Sequence, residues 1–279
     1  MASAEEVTVY DSALREGPLA YARRLRRDLL TFRYAIYNLV LNNLRSRYRK
    51  SYLGFAWSLL NPLVTMVVMA VIFSAVLKME LRSFGFYLFS GLLPWIFISN
   101  SLSAGCNSMV QAEGFLRKVN VSKIVFPVAS VATEGVNFAF SMISLLILAF
   151  FMKASFGISL VALPLAMIVL FLFTAGLVLV VSVLNVYFRD LPYVLQVGLT
   201  LWFYTVPILY PLALMPPPLK RLLLLNPLYY FVKLFQSLIY DGVFPPWRIW
   251  LLCVVLGGAT CAIGLFLLKS KERDLVFRL

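Results

Sequence analysis

The sequence contains no histidine, and only 12 of its 279 residues are Asp or Glu. It also has no Gly-x-x-x-x-Gly-Lys-Ser/Thr phosphate loop, so the chain does not bind ATP through that motif. Proton-coupled transporters commonly use relays of Asp, Glu and His inside the membrane. The apolar segments hold one convincing carboxylate, Glu134, with Asp190 at a segment end. The sequence therefore argues against proton-coupled transport and against catalysis by paired carboxylates or a metal, and we expect neither a metal nor a cofactor in this chain.

Cysteine is also scarce, with isolated thiols at Cys106, Cys253 and Cys261, all in or beside apolar segments. Their separation predicts no disulfide framework and no metal cluster. What the sequence has in excess is apolar residues, at 62% against 13% charged, and its mean hydropathy is +0.88. Apolar runs of about twenty residues recur, the length that crosses a bilayer as a helix. The sequence therefore predicts an all-α integral membrane protein.

Six transmembrane helices are predicted within a membrane domain of residues 55–268. The expected spans are residues 55–77, 84–104, 124–152, 158–188, 191–210 and 247–268. Arg189 and Asp190, followed by Pro192, are expected to form the tight turn between the fourth and fifth spans, because the residue before proline resists a helical conformation.

Within residues 211–246, residues 219–240 are apolar enough to suggest a seventh span, but they also carry Lys220, Arg221 and Lys233. A charge at the centre of a membrane helix costs about 2.5–3.5 kcal/mol on insertion scales. With six spans, 18 of the 25 Lys and Arg residues are cytoplasmic and 7 are external, as the positive-inside rule requires. We therefore predict two short external helices, broken at Asn226-Pro227, that re-enter the outer leaflet without crossing it.

The ends of the chain are predicted to lie in the cytoplasm. Residues 1–27 are interpreted as a disordered tail, residues 28–54 as an amphipathic helix in the membrane interface, and residues 269–279 as a cytoplasmic tail. The net charge of +13 is concentrated beside the spans, which favours a topology signal over nucleic-acid binding.

Three groups of residues are candidates for function, and each has a simpler structural alternative. The loop between the second and third spans is short and amphipathic, so it either docks a soluble partner or only connects the spans. Its candidate docking residues are Gln111, Glu113, Phe115, Leu116, Arg117 and Lys118. Aromatic side chains near span ends either form interfacial belts or line a conduit for sugar rings, and these are Trp57, Trp95, Phe97, Trp202 and Tyr204. Glu134 is assigned either a structural hydrogen bond or ion pair, or a role in gating or energy coupling. Arg189 and Asp190 are assigned a structural or gating role.

An ordered series of short motifs resembles the ABC-2 type permeases that export polysaccharides such as O-antigen, capsule and teichoic acid. The motifs are RYRKSYLGFAWSLLNP at residues 47–62, SGLLPW at 90–95, FP at 126–127, NVYFRD at 185–190, TVPILY at 205–210 and NPLY at 226–229. The resemblance covers about residues 28–275, and it is carried by the order of the motifs.

The resemblance implies a homodimer in the bacterial inner membrane that works with two copies of a separate cytoplasmic ABC ATPase, which would bind ATP and Mg²⁺. It implies export of a polyprenyl-diphosphate-linked, O-antigen-like glycan, and the chain itself would not be an enzyme. The basic residues at the end of the interface helix would then meet the diphosphate headgroup: Arg45, Arg47, Arg49 and Lys50. Two alternatives stay open, an ABC-2 exporter of a small lipid or drug and a membrane enzyme acting on polyprenyl-linked sugars.

Overall fold

The computed structural model describes residues 17–48, 57–78, 80–116, 121–151 and 157–278, and these ranges contain helices and connecting turns but no strand. The α-helices in chain order are α1 (Pro18–Thr31), α2 (Arg33–Tyr48), α3 (Trp57–Leu77), α4 (Leu81–Cys106), α5 (Ser108–Gln111), α6 (Glu113–Leu116), α7 (Val125–Phe151), α8 (Leu163–Tyr187), α9 (Leu191–Tyr204), α10 (Pro217–Leu224), α11 (Pro227–Ile239) and α12 (Trp247–Arg278). Short 3₁₀ helices cover Ile158–Ala162 and Leu212–Leu214. The predicted all-α class is confirmed.

Four helical segments are long and apolar enough to cross a membrane, and they correspond to the predicted second, third, fourth and sixth spans. They are Leu81–Cys106, Val125–Phe150, Ile158–Tyr187 and Trp247–Glu272. The helix α3, with 21 residues, occupies the place of the predicted first span. The described residues therefore support four spans, or five if the bent pair α10–α11 counts as one.

The predicted fifth span, residues 191–210, is helical only as far as Tyr204. At about 1.5 Å per residue, the 14 residues of α9 extend roughly 21 Å, less than the hydrocarbon core of about 30 Å. Pro207 explains the early end, because proline supplies no N–H for a helical hydrogen bond and restricts the residue before it. The prediction of one continuous helix over residues 191–210 was wrong.

The break at Asn226-Pro227 was predicted correctly. Helices α10 and α11 meet there at 93°. The Oδ1 atom of Asn226 accepts a hydrogen bond from the N–H of Leu228 at 3.0 Å, which caps α11, and Pro227 stands at its first helical position, where the missing N–H costs nothing. The same Oδ1 accepts from Trp202 Nε1–H at 3.0 Å, so the bend is tied to α9.

Helices α8 and α12 pack closely through glycine. A Cβ on Gly264 would lie 2.7 Å from the carbonyl oxygen of Gly176, and a Cβ on Gly176 would overlap main-chain atoms of Thr260 and Cys261. Small residues of this kind let helix backbones approach each other in a membrane, where hydrophobic burial between helices contributes little. At Gly176 and Gly264 the added Cβ would meet main-chain atoms of the facing helix, whereas at Gly105 on α4 it would meet the side chain of Val178.

The predicted boundaries at the two ends of the chain differ from the structure. Residues 18–27 were assigned to a disordered tail, but they are helical in α1, because Tyr21 and Leu25, spaced four residues apart, are buried. The prediction for residues 1–16 lies outside the described residues. The predicted interface helix, residues 28–54, is divided by a turn at Phe32, and its residues 49–54 are not described. At the other end, α12 runs on to Arg278, so the predicted C-terminal tail continues the last span as helix.

Candidate coupling and headgroup site

We call residues 108–123, which include the short helices α5 and α6, the connector. One end of the bundle, which we call the connector end, is formed by α1, α5, α6 and the ends of α8 and α12. A buried cluster joins these elements through Tyr21 and Leu25 of α1, Met109 of α5, and Val186 and Leu268 of α8 and α12. The connector end therefore brings together segments that are far apart in the sequence.

Glu134 on α7 is 2% exposed and is bound by Arg47 of α2. The Arg47 Nη2 atom lies 2.5 Å from Oε1 and the Nη1 atom lies 3.3 Å from Oε2. Asn137, one turn along α7, donates its Nδ2–H to Oε2 at 3.2 Å. A buried carboxylate is stable only when it is paired and hydrogen-bonded. The ion pair expected for Glu134 is therefore present, and its partner is a residue that the sequence assigned to the substrate headgroup.

The other predicted headgroup residues fall into two groups. Arg45 is exposed on α2, whereas Arg49 and Lys50 lie outside the described residues. Arg47 itself keeps 45% of its side chain exposed while it binds Glu134. The described part of the cluster thus presents one arginine to solvent and one that is shared between solvent and a buried carboxylate.

A groove of about 460 Å³ lies between α2, the connector and the start of α7. Its lining is amide-rich on one side and aromatic on the other, and includes Asn38, Asn42, Asn43, Gln111, Phe115 and Phe126. The described lining residues carry no charge. Asn43 also donates its Nδ2–H to Thr133 Oγ1 at 3.3 Å, which holds α2 against α7 beside the Arg47–Glu134 pair.

The predicted docking residues that are described lie together on α5 and α6. Gln111 is exposed and Phe115 is 51% exposed, with the Phe115 ring edge-on to Phe126 at 5.9 Å. The partly buried Leu116 side chain packs against the buried cluster of the connector end. The predictions for Arg117 and Lys118 lie outside the described residues. An exposed aromatic ring that packs against a second ring is a suitable anchor for a partner protein.

The connector is fastened to the turn between α8 and α9. Asn185 on α8 donates its Nδ2–H to the carbonyl oxygen of Cys106 at 2.9 Å, where α4 ends and the connector begins. Arg189 lies 3.9 Å from Glu113, and since both are partly exposed this pair contributes less than about 1 kcal/mol. Asp190 is exposed and precedes α9. Sequence reasoning missed Asn185, although an asparagine within an apolar helix is itself a signal of a hydrogen-bonded position.

The predicted conduit aromatics are separated by their burial. Trp95 and Phe97 are 7% and 3% exposed, and Phe97 stacks on Phe138 at 5.0 Å, so both belong to the hydrophobic core of this conformation. Trp202 is half-buried, edge-on to Trp95 at 6.2 Å, while Tyr204 is 62% exposed. The prediction for the Trp57 side chain lies outside the described residues. Only Trp202 and Tyr204 of the described set have surface that a passing molecule could contact.

These features define the chain as a helical membrane protein with several membrane-spanning helices, whose short connector is held against the N-terminal helices and the last helix. Its residues 34–240 match the sequence model of the ABC-2 type transporter family, and the chain belongs to that family. It is 34% identical over 224 residues to the O-antigen export system permease protein RfbA of Myxococcus xanthus, which covers 80% of this chain and 86% of that protein. It is 29% identical over 201 residues to a protein of the same name from Klebsiella pneumoniae, with 72% and 78% covered. It is 23% identical over 241 residues to the polysialic acid transport protein KpsM of Escherichia coli, with 85% of this chain and 93% of that protein covered.

Proposed function

We propose that this chain is the membrane-spanning permease subunit of an ABC exporter that moves a polyprenyl-diphosphate-linked, O-antigen-like polysaccharide across the bacterial inner membrane. The observation that carries the proposal is the 34% identity, over 80% of the chain, to a protein named as an O-antigen export permease. The exposed arginine and the amide-rich groove at the connector end support it, because they suit a charged headgroup followed by sugars.

The energy would come from a separate ATPase, since this sequence has no phosphate loop. Two ATPase copies, holding ATP and Mg²⁺, would bind a homodimer of this chain through α5 and α6. The exposed Phe115 ring supports this assignment, as does the link from Glu113 to Arg189, through which movement of the connector would reach α8 and α9. ATP hydrolysis is then the activity of the partner, and the chain itself performs transport.

The Phe115→Asp variant should lose ATPase binding, because a charge replaces an apolar anchor at the centre of the proposed contact. We expect at least a tenfold weaker association in detergent, measured by co-purification at several ATPase concentrations. The matched control is Phe244→Asp, since Phe244 is similarly exposed, at 56%, beside the start of α12 and away from the connector. An equal loss of ATPase binding in both variants, or no loss in Phe115→Asp, would show that the connector is not part of the ATPase interface.

The proposed topology has six spans with both chain ends and the connector in the cytoplasm, and with the bent pair α10–α11 on the external side. A cysteine placed at the exposed Lys220 of a cysteine-free chain should react with a membrane-impermeant maleimide added to intact cells. A cysteine at Gln111 should react only after the inner membrane is opened. Labelling of Lys220→Cys from the cytoplasmic side alone would overturn the six-span arrangement.

The conduit is proposed to run between the two subunits along α9. Four of its residues form an exposed stripe with helical spacing: Tyr193, Val197, Leu201 and Tyr204, each at least 62% exposed. This stripe carries two aromatic rings, and the apolar C–H faces of sugars stack on such rings. The second subunit would supply the same stripe opposite.

The substrate headgroup is proposed to contact Arg45, Arg49 and Lys50, whereas Arg47 is committed in part to Glu134. Replacing these three residues by Gln should lower the apparent affinity for the lipid-linked glycan at least tenfold, since each basic residue near an anionic group contributes about 1 kcal/mol, or roughly fivefold. The measurement is glycan-stimulated ATP hydrolysis by the reconstituted complex, in parallel with a short-chain lipid as alternative substrate. Normal stimulation by the glycan in a correctly inserted variant would contradict the headgroup role. Stimulation of the wild type by the short lipid alone would favour a small-lipid exporter.

A further inference from the structure

The helix α1 lies before the residues that match the family, and it is built into the connector end. Tyr21 and Leu25 are 2% and 3% exposed. They belong to one buried cluster with Met109, in the first turn of the connector, and Ile124, just past its end. Close-packed side chains of this kind have no room to move independently. We therefore expect a displacement of the connector to reach α1 through this shared cluster.

A polar contact fixes α1 to the end of α12. Arg24 Nη2 donates to Glu272 Oε2 at 2.8 Å, and the Arg24 guanidinium lies 5.0 Å from the centre of the Tyr21 ring. Lys123, which precedes α7, donates its Nζ–H to the carbonyl oxygen of Glu272 at 2.9 Å. Burial lowers the pKa of Lys123, and the Glu272 carboxylate opposes that change. Residue 272 thus joins α1, α12 and the end of the connector.

The other arginines of α1 face solvent. Arg23, Arg26 and Arg27 are exposed, whereas Arg24 is the one whose side chain is only 28% exposed. Arg24 is therefore the described arginine of α1 that contacts Glu272. The neighbouring Arg23 carries the same charge but faces solvent. This pair of adjacent arginines separates the effect of the contact from the effect of surface charge.

Helix α1 is joined directly to α2. Their joint is a single turn residue, Phe32, which forms one helical hydrogen bond with each helix. The N–H of Phe32 donates to the carbonyl oxygen of Asp28 at 2.8 Å, and the N–H of Ile36 donates to Phe32 at 2.9 Å. At its far end α2 is held to α7 by the Arg47–Glu134 pair. A continuous series of contacts therefore runs from the connector end through α1 to the helix that carries the proposed headgroup residues.

We infer that α1 is a strut that transmits movement of the connector to α2, and that Arg24 and Glu272 are the positioning residues that hold it in place. This inference rests on the proposed function. When the partner ATPase closes on ATP and shifts α5 and α6, the strut would move α2 relative to α7 and so change how the headgroup residues are presented. Without the Arg24–Glu272 contact, ATP hydrolysis would continue, but α2 would no longer follow the movement of the connector.

The test is a charge exchange in the complete complex, reconstituted with the partner ATPase and a polyprenyl-diphosphate-linked glycan extracted from the source cells. Arg24→Glu and Glu272→Arg should each lower export at least fivefold, with ATP hydrolysis changed less than twofold. The double variant Arg24→Glu/Glu272→Arg should recover to within twofold of the wild type. Arg23→Glu, the matched control, should export normally.

A second measurement does not depend on the substrate. A cysteine at Tyr37, which is 60% exposed on α2, should change its rate of maleimide labelling on addition of ATP, and Arg24→Glu should abolish that change. If a single charge reversal prevents recovery of the complex, Arg24→Gln is used with the same two measurements. Three results would each contradict the proposed role of α1. They are normal export and labelling in the Arg24 variants, a double variant that exports no better than the single ones, and an equal export defect in Arg23→Glu. A wild-type complex that moves no glycan but shows the ATP-dependent labelling change, abolished in Arg24→Glu, would instead overturn the proposed function and leave the strut supported.

Discussion

Replacing Arg47 by alanine should lower the free energy of unfolding by about 3 kcal/mol, the low end of the range for a buried ion pair that loses one partner. The value is at the low end because Arg47 is 45% exposed, whereas Glu134 is 2% exposed. The variant would leave the Glu134 carboxylate buried with the hydrogen bond from Asn137 but without the two guanidinium hydrogen bonds. An uncompensated charge in the interior is more costly than a lost contact.

The opposite substitution, Glu134→Gln, should be milder, at about 1 kcal/mol, because the Arg47 guanidinium can turn to water and the neutral amide still forms hydrogen bonds. Arg45→Ala is the matched control on the exposed face of α2 and should stay within about 0.5 kcal/mol of the wild type. Unfolding of the purified permease in detergent, followed by tryptophan fluorescence, gives all three values. A Glu134→Gln variant less stable than Arg47→Ala would contradict the argument from unequal burial.

Gly176→Ala should be destabilised by about 3 kcal/mol or more, at or beyond the upper range for overpacking. The new methyl group would overlap the carbonyl carbon of Thr260 and the amide nitrogen of Cys261. These are main-chain atoms within α12, so no side-chain rotation can relieve the clash, and the two helices must separate. We expect a smaller folded fraction on size-exclusion chromatography and a lower midpoint of thermal unfolding.

Gly258→Ala is the control for that substitution, since Gly258 lies on α12 with open space around its Cβ position. Alanine is favoured over glycine in a helix by up to about 1 kcal/mol, so this variant should match or slightly exceed the wild-type stability. If Gly176→Ala and Gly258→Ala behaved alike, close contact between α8 and α12 would not be a requirement of the fold.

The sequence was sufficient for properties that depend on neighbouring residues. Apolar runs long enough to cross a bilayer identified four helices, and Asn226-Pro227 identified the break between α10 and α11, because length, hydropathy and proline geometry are local. The end of α9 at Tyr204 was also encoded locally, in Pro207, but the apolar character of residues 205–210 concealed it. The six-span topology stays a prediction, because it depends on where the membrane lies.

The tertiary structure alone decided which residues meet. Arg47 and Glu134 are 87 positions apart and Arg24 and Glu272 are 248 apart, so no local pattern could pair them. Burial likewise separated Phe97 from Tyr204, although both are aromatic residues near span ends. Sequence by itself therefore determined that this is a helical membrane permease with a basic, aromatic-rich chain. Packing between distant helices decided which charges are bound within the protein and which stay available, because an ion pair depends on distance and burial in space.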